Sequence, residues 1–298
     1  METTDLIWMN GKLLPWEKAQ THVLTHGLHY GSAVFEGTRV YKTPQGPAIF
    51  RLKDHTKRLL YSAKTMGMNV PYSEAEINMA TLETVRRNKL KQGYIRPIIY
   101  YGYGKMGLNP IGAPVEMVIA CWPWGKYLDD RPIRVQISDI VRIHPKSSVT
   151  DAKISGHYTN SIMAVLSLDP GFDEALLLDF KGNIAEGPGE NFFMVKKGVL
   201  YTPKLGTILA GITRDTIFQL AADHGLKVLE KTLKPTDVLK GDEAFFTGTA
   251  AEVTAIGSIN GKKIGNGKMG PVTTTIQQAY MDVVKGKNKK YERYLSRI

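Results

Sequence analysis

The sequence predicts an α+β protein built from two domains. Its strand-like segments come in hairpin runs and lack the regular strand–helix alternation of a parallel sheet. With 298 residues, the chain also exceeds the ~150 residues that one domain typically takes. A charged, turn-like stretch at 125–132 interrupts the chain near its middle. We therefore predict a small N-terminal domain at 1–124, a linker at 125–132 and a larger C-terminal domain at 133–298.

Strands are predicted to surround two helices in the first half of the chain. Apolar residues flank Asn10-Gly11, which is the strongest short hairpin signal. Ser73 and Glu76 have the spacing of a capping box and mark the start of a helix. Apolar spacing predicts the helices, and β-branched or aromatic runs predict the strands. The predicted elements are a hairpin at 5–16, a strand pair at 33–50, helices at 52–66 and 73–89, and strands at 94–104 and 115–124.

Short strands joined by tight turns dominate the second half. Glycine-containing turns at 181–183 and 197–198 separate three strands, which predicts an antiparallel meander. Gly225 has the position of a residue that ends a helix, and Pro271 has that of one that begins the last helix. The predicted elements are strands at 133–140, 174–179, 184–195 and 199–203, helices near 160–168 and 213–225, strands at 243–248 and 252–265, and a helix from 271.

The composition argues against several classes of protein. The formal net charge is +11, and residues 285–297 supply +5 of it through six Lys or Arg and one Glu. We predict that this tail is solubilising or weakly interacting, and we expect no nucleic-acid partner because no cluster of phosphate contacts is displayed. No segment approaches the ~18 apolar residues of a membrane span. With no signal-peptide pattern and with Cys121 as the only cysteine, we expect a soluble, cytoplasmic protein with no membrane partner.

Two motif-like patterns carry little weight. The sequence GYGKMG at 102–107 matches a dinucleotide-binding pattern, but prolines follow where that motif requires a helix. His22, His26 and His29 could share a helix face as metal ligands, yet neighbouring glycines argue against a long helix there. We expect a glycine loop over a pocket in the first case, core or loop histidines in the second, and no metal site.

Four segments of the second half together suit one anionic aromatic cofactor. In DAKISGHYTN, Lys153 has small neighbours, and a lysine can form a Schiff base. In LAGITRD a glycine precedes a helix start at Thr213, where free amides and the helix dipole attract an anion. FFTGTAAE ends a strand in Gly248-Thr249, and AEGPGENFF places Glu186 and Glu190 at a glycine-rich kink. Each segment also has an ordinary explanation as a surface lysine, an N-cap, a turn or a bulge.

Arg58 extends this set from the first half of the chain. It lies on the predicted helix 52–66, where it could reach the same phosphate or pair with Asp54 one turn away. Together the residues supply what pyridoxal 5′-phosphate (PLP) needs: a lysine, a phosphate cup and a carboxylate for the ring nitrogen. A carboxylate in that position keeps the nitrogen protonated, so that the ring can act as an electron sink.

The sequence resembles the branched-chain amino acid aminotransferases, among the fold type IV PLP enzymes. The likeness covers essentially the whole chain. It is carried, in the family's order, by HGLHYGSAVFEGTR, YIRP, GLNP, CWPWGKY, AKISGHY, EGPGENFF, GITRD and TGTAAEV. The resemblance implies a smaller N-terminal α/β sandwich and a larger C-terminal β-barrel-like domain with helices. It also implies a homodimer, or a larger assembly such as a dimer-based hexamer, in which some pocket residues cross over.

On this resemblance, Lys153 is the catalytic lysine, which forms the Schiff base and shuttles the proton. Tyr158 would hydrogen-bond the ring O3′, and Glu186 would face the pyridine nitrogen. The phosphate would be held by Arg58, Thr213, Thr249 and the backbone amide of Ile212.

The resemblance also implies the substrate site. The α-carboxylate would be bound by Tyr94 and the amides of Thr249 and Ala250. Arg96, with Tyr30 and Tyr127, would pair with the distal carboxylate of glutamate, and shorter aliphatic chains need not reach it. The apolar pocket would be lined by Tyr30, Phe35, Leu108, Trp124 and Tyr127. Two residues depart from the family pattern, since His157 stands where asparagine is expected and Leu108 where valine is common.

The implied reaction is a ping-pong transamination. Leucine, isoleucine or valine would give its amino group to 2-oxoglutarate, with a branched 2-oxo acid and L-glutamate as products. Lys153 can shuttle the proton only if a cationic partner or burial lowers its pKa. A D-amino acid aminotransferase, an aminodeoxychorismate lyase and an (R)-amine transaminase of the same fold remain alternatives. YIRP and CWPWGKY argue against the first two.

Overall fold

The computed structural model describes residues 1–125, 127–128 and 131–298. The chain divides into two compact units, of which the first holds Met1–Gly125, Ala152–Gly156 and Val283–Ile298 and the second holds Lys126–Asp151 and His157–Asp282. The predicted ranges 1–124 and 133–298 differ from this division, because residues 152–156 and 283–298 fold with the first unit. The predicted linker at 125–132 lies partly outside the described residues.

Within the described residues, an eight-stranded antiparallel sheet forms the centre of the first unit. Its strands are β1 (Leu6–Met9), β2 (Lys12–Pro15), β3 (Ala33–Phe35), β4 (Thr38–Thr43), β5 (Gly46–Phe50), β6 (Gly93–Tyr101), β7 (Val115–Trp122) and β16 (Leu295–Arg297). Their order is β16-β5-β4-β6-β7-β1-β2, with β3 also paired to β6. The predicted hairpin is confirmed, and Asn10 and Gly11 both have positive φ, at 48° and 91°, as its turn type requires.

The segment predicted as one strand pair contains three strands. β4 and β5 form the expected antiparallel pair, but β3 lies against β6 on its own. The chain leaves the strand conformation at Glu36 and Gly37 between β3 and β4. This break places Glu36 below the surface, where its side chain is fully buried.

Three helices accompany the first sheet: α1 (His26–Tyr30), α2 (Leu52–Thr65) and α3 (Glu74–Arg87). The predicted capping box is confirmed, since Ser73 Oγ accepts from Glu76 N and Glu76 Oε2 accepts from Ser73 N at 2.7 Å. α2 packs Leu52, Leu59 and Ala63 into the apolar core of this unit, which is why the apolar spacing located it correctly.

The basic tail, predicted to be solubilising or weakly interacting, is in part a packed element of the first unit. Residues Lys289–Tyr294 form a 3₁₀ helix, and β16 adds antiparallel to the edge of β5. Tyr291 and Leu295 are buried. Aromatic and aliphatic side chains alternate with the charges in this stretch, so its apolar residues pack while its basic residues face outward.

The second unit contains a mixed sheet with eight strands among the described residues. They are β8 (Ile133–Ile137), β9 (Glu174–Leu176), β10 (Asn191–Lys196), β11 (Val199–Thr202), β12 (Val228–Glu230), β13 (Glu243–Gly248), β14 (Glu252–Ile259) and β15 (Lys262–Lys263). The order is β12-β11-β10-β13-β14-β8-β9, with β15 paired to β14. The helices are α4 (Tyr158–Leu166), α5 (Ile212–Asp223), α6 (Pro235–Val238) and α7 (Pro271–Val284), and the last two residues of α7 are assigned to the first unit.

The predicted meander is confirmed only in part, because the first predicted strand, at 174–179, is divided between two partners. β10 and β11 are antiparallel neighbours as predicted, but β9 pairs in parallel with β8 and does not lie beside β10. After β9 the chain turns back on itself: Leu178 and Ile184 form an antiparallel bridge, and the Leu177 amide donates to the Glu186 carbonyl at 2.9 Å. This pairing ends at the kink at 186–190, and β10, which follows the kink, lies between β11 and β13.

The mixture of helices with largely antiparallel sheets confirms the α+β prediction. Among the described residues, the helices are all too short or too polar to cross a bilayer.

Candidate active site

Lys153 belongs to a short extended segment that adds to the first unit. Its carbonyl accepts from Phe35 N at 3.1 Å, and its amide donates to Ser62 Oγ at 2.9 Å. Next to it, Ile154 forms a bridge with Val34. Gly156 lies so close to Gly31 that a Cβ on Gly31 would come within 3.0 Å of the Gly156 Cα. The small residues after Lys153 therefore permit a close approach of two backbone segments.

The side chain of Lys153 stands over an aromatic ring in a charged surrounding. Its Nζ lies 4.4 Å from the centre of the Phe35 ring. Burial lowers the pKa of Lys153 to about 8; the negative charge of Glu36 opposes this, while Arg58 and Arg96 add to the lowering. An amine with this pKa is partly unprotonated near neutral pH, which a proton-accepting lysine requires.

Glu36 holds Arg58 and His55 together on α2. Arg58 donates from Nε to Glu36 Oε1 at 2.5 Å and from Nη2 to Oε2 at 3.0 Å. His55 Nδ1 contacts Glu36 Oε2 at 2.7 Å. Burial favours protonation, but the charges and hydrogen bonds of Arg58 and His55 hold the pKa of Glu36 well below its usual range. Asp54, the alternative partner predicted for Arg58, instead accepts from Arg51 Nε at 2.6 Å.

Four of the predicted substrate residues cluster in the first unit. The Arg96 guanidinium lies 4.7 Å from the Phe35 ring centre and 5.3 Å from that of Tyr94. Arg96 Nη2 also donates to the Tyr94 hydroxyl at 3.3 Å. Trp124 packs edge-on against Tyr94 at 4.6 Å. The cluster thus combines a cation, a hydroxyl and apolar rings, which suits a substrate with one charged and one aliphatic end.

Two residues that sequence reasoning missed set the geometry of this cluster. Arg39 is buried on β4 and donates from Nη2 to the carbonyls of Trp124 and Gly125, at 2.9 and 2.8 Å. A Cβ on Gly37 would lie 1.8 Å from the Tyr94 hydroxyl. Gly37 is therefore required by the path of the tyrosine, and Arg39 fixes the backbone that carries Trp124.

In the second unit, Glu186 is the centre of a buried polar network. Arg142 donates from Nε to its Oε1 at 2.5 Å, and Asn191 Nδ2 donates to its Oε2 at 3.0 Å. The amide of Leu209 adds contacts at 3.1 and 3.2 Å. Although burial acts against it, the charge and hydrogen bond of Glu186, with a contribution from Tyr158, raise the pKa of Arg142. A carboxylate held in this way has a fixed position and a buried countercharge.

Asn191 connects this carboxylate to the start of α5. Besides binding Glu186, it donates to the carbonyl of Leu209 at 3.0 Å. A Cβ on Gly211 would lie 1.9 Å from Asn191 Oδ1, so only glycine fits before the helix. No side chain caps α5 at Gly211, and the helix opens with the predicted residues Ile212 and Thr213, both buried. The positive end of α5 is thus shaped for an anion.

The remaining predicted residues of this unit lie on neighbouring segments. Thr249 and Ala250 form the half-buried turn after β13. Gly248 approaches Gly189 of the kink, since a Cβ on Gly248 would lie 3.2 Å from the Gly189 carbonyl oxygen. Tyr158 is the first residue of α4.

His157 precedes Tyr158 and shares a hydrogen bond of 2.5 Å with Ser148 through Nε2. The histidine at the position where asparagine was expected therefore ties α4 to the loop before Lys153.

Three predicted residues are exposed in the single chain. Tyr30 at the end of α1 is 42% exposed and lies against His26. Leu108 is 84% exposed in the loop between β6 and β7. Tyr127 is 43% exposed and donates to Glu174. The structure does not place Leu108 in an apolar pocket of its own chain.

The glycine-rich pattern at 102–107 and the histidines of the first unit have ordinary structural explanations. No helix follows β6, and residues 102–114 form a loop. His26 is buried and donates from Nε2 to the carbonyl of Gly107 at 2.8 Å while its Nδ1 contacts Ser32 Oγ at 2.6 Å. Among the described residues, no group of three His, Cys, Asp or Glu side chains is placed to hold a metal.

The chain is similar to known aminotransferases along its whole length. The family model for amino-transferase class IV matches residues 33–259. A branched-chain-amino-acid aminotransferase of Pseudomonas aeruginosa is 50% identical over 294 residues, covering 97% of this chain and 96% of that protein.

Solved structures agree with this. The T.th. branched-chain amino acid aminotransferase, complexed with N-(5′-phosphopyridoxyl)-L-glutamate, superposes with a TM-score of 0.95 at 42% identity, covering 100% and 99% of the two chains. That of Thermoproteus uzoniensis, with norvaline, gives 0.95 at 41% identity, covering 98% and 99%.

The chain belongs to the class IV aminotransferases. Within that class it belongs to the branched-chain-amino-acid aminotransferases. Class IV aminotransferases use pyridoxal 5′-phosphate, so the predicted enzyme class, fold type IV and cofactor are confirmed.

Proposed function

We propose that the enzyme transfers the amino group of leucine, isoleucine or valine to 2-oxoglutarate by a ping-pong mechanism. The products are the corresponding branched 2-oxo acid and L-glutamate. The observation that carries this proposal is Lys153, a half-buried lysine whose pKa is lowered to about 8. It stands beside an aromatic ring, two arginines and a tyrosine, which are groups that suit an amino acid substrate.

The residues of each unit fit the cofactor. In the second unit, Arg142 Nη1 and Thr247 Oγ1 are buried without a hydrogen-bond partner among the described residues, which fits a polar ligand in this region. Glu186 would bind the ring nitrogen and Tyr158 the O3′ oxygen. The phosphate would be held by Arg58, Thr213, Thr249 and the amide of Ile212. When bound, the cofactor supplies an electron sink for the charge that develops when the α-proton leaves.

Lys153 carries the proton in both half-reactions. Its Nζ takes the α-proton of the branched-chain amino acid, and in the reverse half-reaction it returns a proton to the α-carbon of glutamate. The lowered pKa supports this role, because a base is most effective when its pKa lies near the working pH.

The aromatic cluster of the first unit supports dual substrate recognition. The rings of Phe35 and Trp124 would contact an aliphatic side chain, and Tyr94, with the amides of Thr249 and Ala250, would bind the α-carboxylate. Arg96, with Tyr30 and Tyr127, would pair with the distal carboxylate of 2-oxoglutarate. A hydroxyl and a guanidinium already in contact supply a preorganised anion site, while aliphatic chains use only the rings.

Self-association belongs to this proposal. Val23, Leu28 and Leu108 are exposed apolar side chains of the first unit. Their two segments lie together, since the rings of His22 and Tyr103 are 4.0 Å apart. Exposed apolar surface of this kind is typical of an interface, and a homodimer or a larger, dimer-based assembly would cover it. A cytoplasmic location is likewise part of the proposal.

An absorbance experiment tests the reaction. The purified enzyme with PLP is mixed with leucine, and 2-oxoglutarate is added afterwards. We expect the yellow band of the bound cofactor to bleach with leucine and to return with 2-oxoglutarate. Bleaching by D-alanine or a simple (R)-amine, with no response to leucine, would contradict the proposal.

A variant tests the assignment of the lysine. Lys153→Ala should bind the cofactor without a borohydride-reducible link and should not bleach with leucine. A reducible link in Lys153→Ala would show that another lysine forms the Schiff base.

A further inference from the structure

Glu36 is a buried carboxylate for which neither the motif pattern nor the reaction supplies a role. It is fully buried at the break between β3 and β4. Four donors contact it, from Arg58, from His55 and from the amide of Gly37. An ionised carboxylate is rarely buried unless its partners hold it there, so Glu36 must serve the groups around it.

The geometry of the pair controls the direction of Arg58. The glutamate occupies the edge of the guanidinium formed by Nε and Nη2, at 2.5 and 3.0 Å. Because the guanidinium is planar, fixing one edge fixes the plane and the direction of the opposite edge. His55 lies one turn before Arg58 on α2 and holds the same carboxylate at 2.7 Å. The carboxylate of Glu36 is therefore fixed in place, whereas an exposed partner would follow the movements of the arginine side chain.

We propose that Glu36 is a positioning residue, which holds Arg58 in the orientation that binds the phosphate of the cofactor. This inference rests on the proposed role of Arg58 as a phosphate ligand. It extends that role by assigning the fixed orientation of the arginine to a residue outside the phosphate set.

The charges at the site are consistent with this role. The negative charge of Glu36 raises the pKa of Lys153, against the larger effect of burial. Glu36 also offsets the charge of Arg58 when the phosphate is absent. An arginine can bind two anions at once through two edges of its fork, so the pair with Glu36 need not break when a phosphate binds.

The test compares two forms of the cofactor, PLP and pyridoxal, which lacks the phosphate. The full-length chain is freed of cofactor and titrated with each compound. The dissociation constant of pyridoxal divided by that of PLP is the ratio that measures how much affinity the phosphate contributes. We expect Glu36→Gln and Glu36→Asp to lower this ratio by about tenfold, since hydrogen bonds to charged groups carry affinity of that order. The affinity for pyridoxal should stay close to that of the unchanged chain.

Two variants are needed because Glu36→Gln leaves Arg58 without a buried countercharge and could fail to fold. Glu36→Asp keeps the charge and withdraws it by one methylene, so it tests position alone. Asp54→Asn is the matched control, because Asp54 lies on the same helix, pairs with Arg51 and should leave the ratio unchanged. Arg58→Lys is the positive control and should lower the ratio by itself.

Several outcomes would overturn the inference. Equal weakening of PLP and pyridoxal would show that Glu36 is merely structural. Tighter binding of PLP by Glu36→Gln would show that the negative charge of Glu36 only weakens the attraction between Arg58 and the phosphate. If adding Glu36→Asp to Arg58→Lys lowers the ratio further, Glu36 does not act through the arginine.

The controls separate this inference from the proposed role of Arg58. If Arg58→Lys leaves the ratio unchanged, the phosphate role of Arg58 fails and the inference fails with it. If Arg58→Lys lowers the ratio and both Glu36 variants leave it unchanged, only the inference fails.

Discussion

The two units contain buried glutamate–arginine pairs with similar geometry and different surroundings. Glu36 pairs with Arg58 in the first unit, and Glu186 pairs with Arg142 in the second, each with an Nε–Oε1 distance of 2.5 Å. In the first pair the other partners of the glutamate are a histidine on the same helix as the arginine and the backbone amide of Gly37. In the second, the other partners are Asn191 and a backbone amide.

The two pairs differ in which member is available to bind a ligand. In the first unit the glutamate is fully buried and the arginine is partly exposed, at 14% of its side chain. In the second unit both are buried, and the glutamate is fixed by donors on three separate segments. We therefore assign the arginine as the ligand-binding member of the first pair and the glutamate as that of the second. On this proposal, the same arrangement, a buried glutamate–arginine pair, would supply a cation in one unit and an anion in the other.

The largest effect should come from removing the charge of the second pair. Glu186→Gln keeps the shape of the side chain but cannot stabilise a protonated ring nitrogen. We expect kcat for leucine with 2-oxoglutarate to fall by about a thousandfold, the upper range for loss of one preorganised electrostatic contact. Steady-state kinetics at saturating cofactor measure it.

Glu190 supplies the matched control, since it is the other buried acid of the same kink. Glu190→Gln should reduce kcat far less. Equal losses in the two variants would contradict the assignment of Glu186 as the acting residue.

The next effect concerns the arginine of the second pair. Arg142→Met leaves the charge of Glu186 buried and unpaired, which should lower the free energy of unfolding by about 3 kcal/mol. Urea unfolding of the cofactor-free protein measures it. Adding Glu186→Gln should restore most of the loss, because the uncompensated charge is then gone. Additive losses would show that Arg142 stabilises the unit independently of Glu186.

The pH dependence of stability reports on Lys153 in the first unit. Its pKa is about 8 when folded against an ordinary value of 10.5, so between these values the unfolded chain binds a proton that the folded chain does not. The contribution of Lys153 to the free energy of unfolding should therefore rise with pH in this window, by at most about 1.4 kcal/mol per pH unit. Below about pH 8 the contribution is constant.

Variants isolate this slope from other titrations. In the cofactor-free protein, Lys153→Met should remove the slope, whereas Lys57→Met on the exposed face of α2 should retain it. An unchanged slope in Lys153→Met would show that the burial of this lysine does not affect its protonation.

The smallest effects should come from two glycines and should separate the two units by function. Gly37→Ala displaces Tyr94 and should raise KM for leucine about tenfold without weakening cofactor binding, a typical cost of overpacking by one methyl group. Gly211→Ala displaces Asn191, which holds Glu186, and should weaken cofactor binding instead. Kinetics and cofactor titration measure the two quantities for both variants.

Two other glycines control for the loss of glycine itself. A Cβ on Gly125 or on Gly189 meets no atom within 4 Å, so Gly125→Ala and Gly189→Ala should change neither quantity. If Gly37→Ala and Gly211→Ala changed the same quantity, KM for leucine or cofactor affinity, the assignment of these two functions to the surroundings of the two glycines would be wrong.

Local patterns located most elements because local physics decides them. The Asn10-Gly11 turn, the capping box at Ser73 and the apolar face of α2 depend on residues within one or two turns of each other. The parallel pairing of β9 with β8 and the packing of the basic tail on β5 depend on distant segments. Sequence reasoning missed both because neighbouring residues carry no signal for such pairings.

Local features of the sequence made Lys153 a candidate, as a lysine among small residues, and made both Glu186 and Glu190 candidates, as acids at a glycine-rich kink. The resemblance to a family then selected Glu186. The motifs around them also determined the family, the cofactor and the reaction class. The partners of these residues are a different matter. Glu36 meets Arg58 across 22 positions, and Arg142 meets Glu186 across 44. Only the tertiary structure decides such pairs, because a buried charge is tolerated only where folding brings its counterion, and no local pattern encodes that distance.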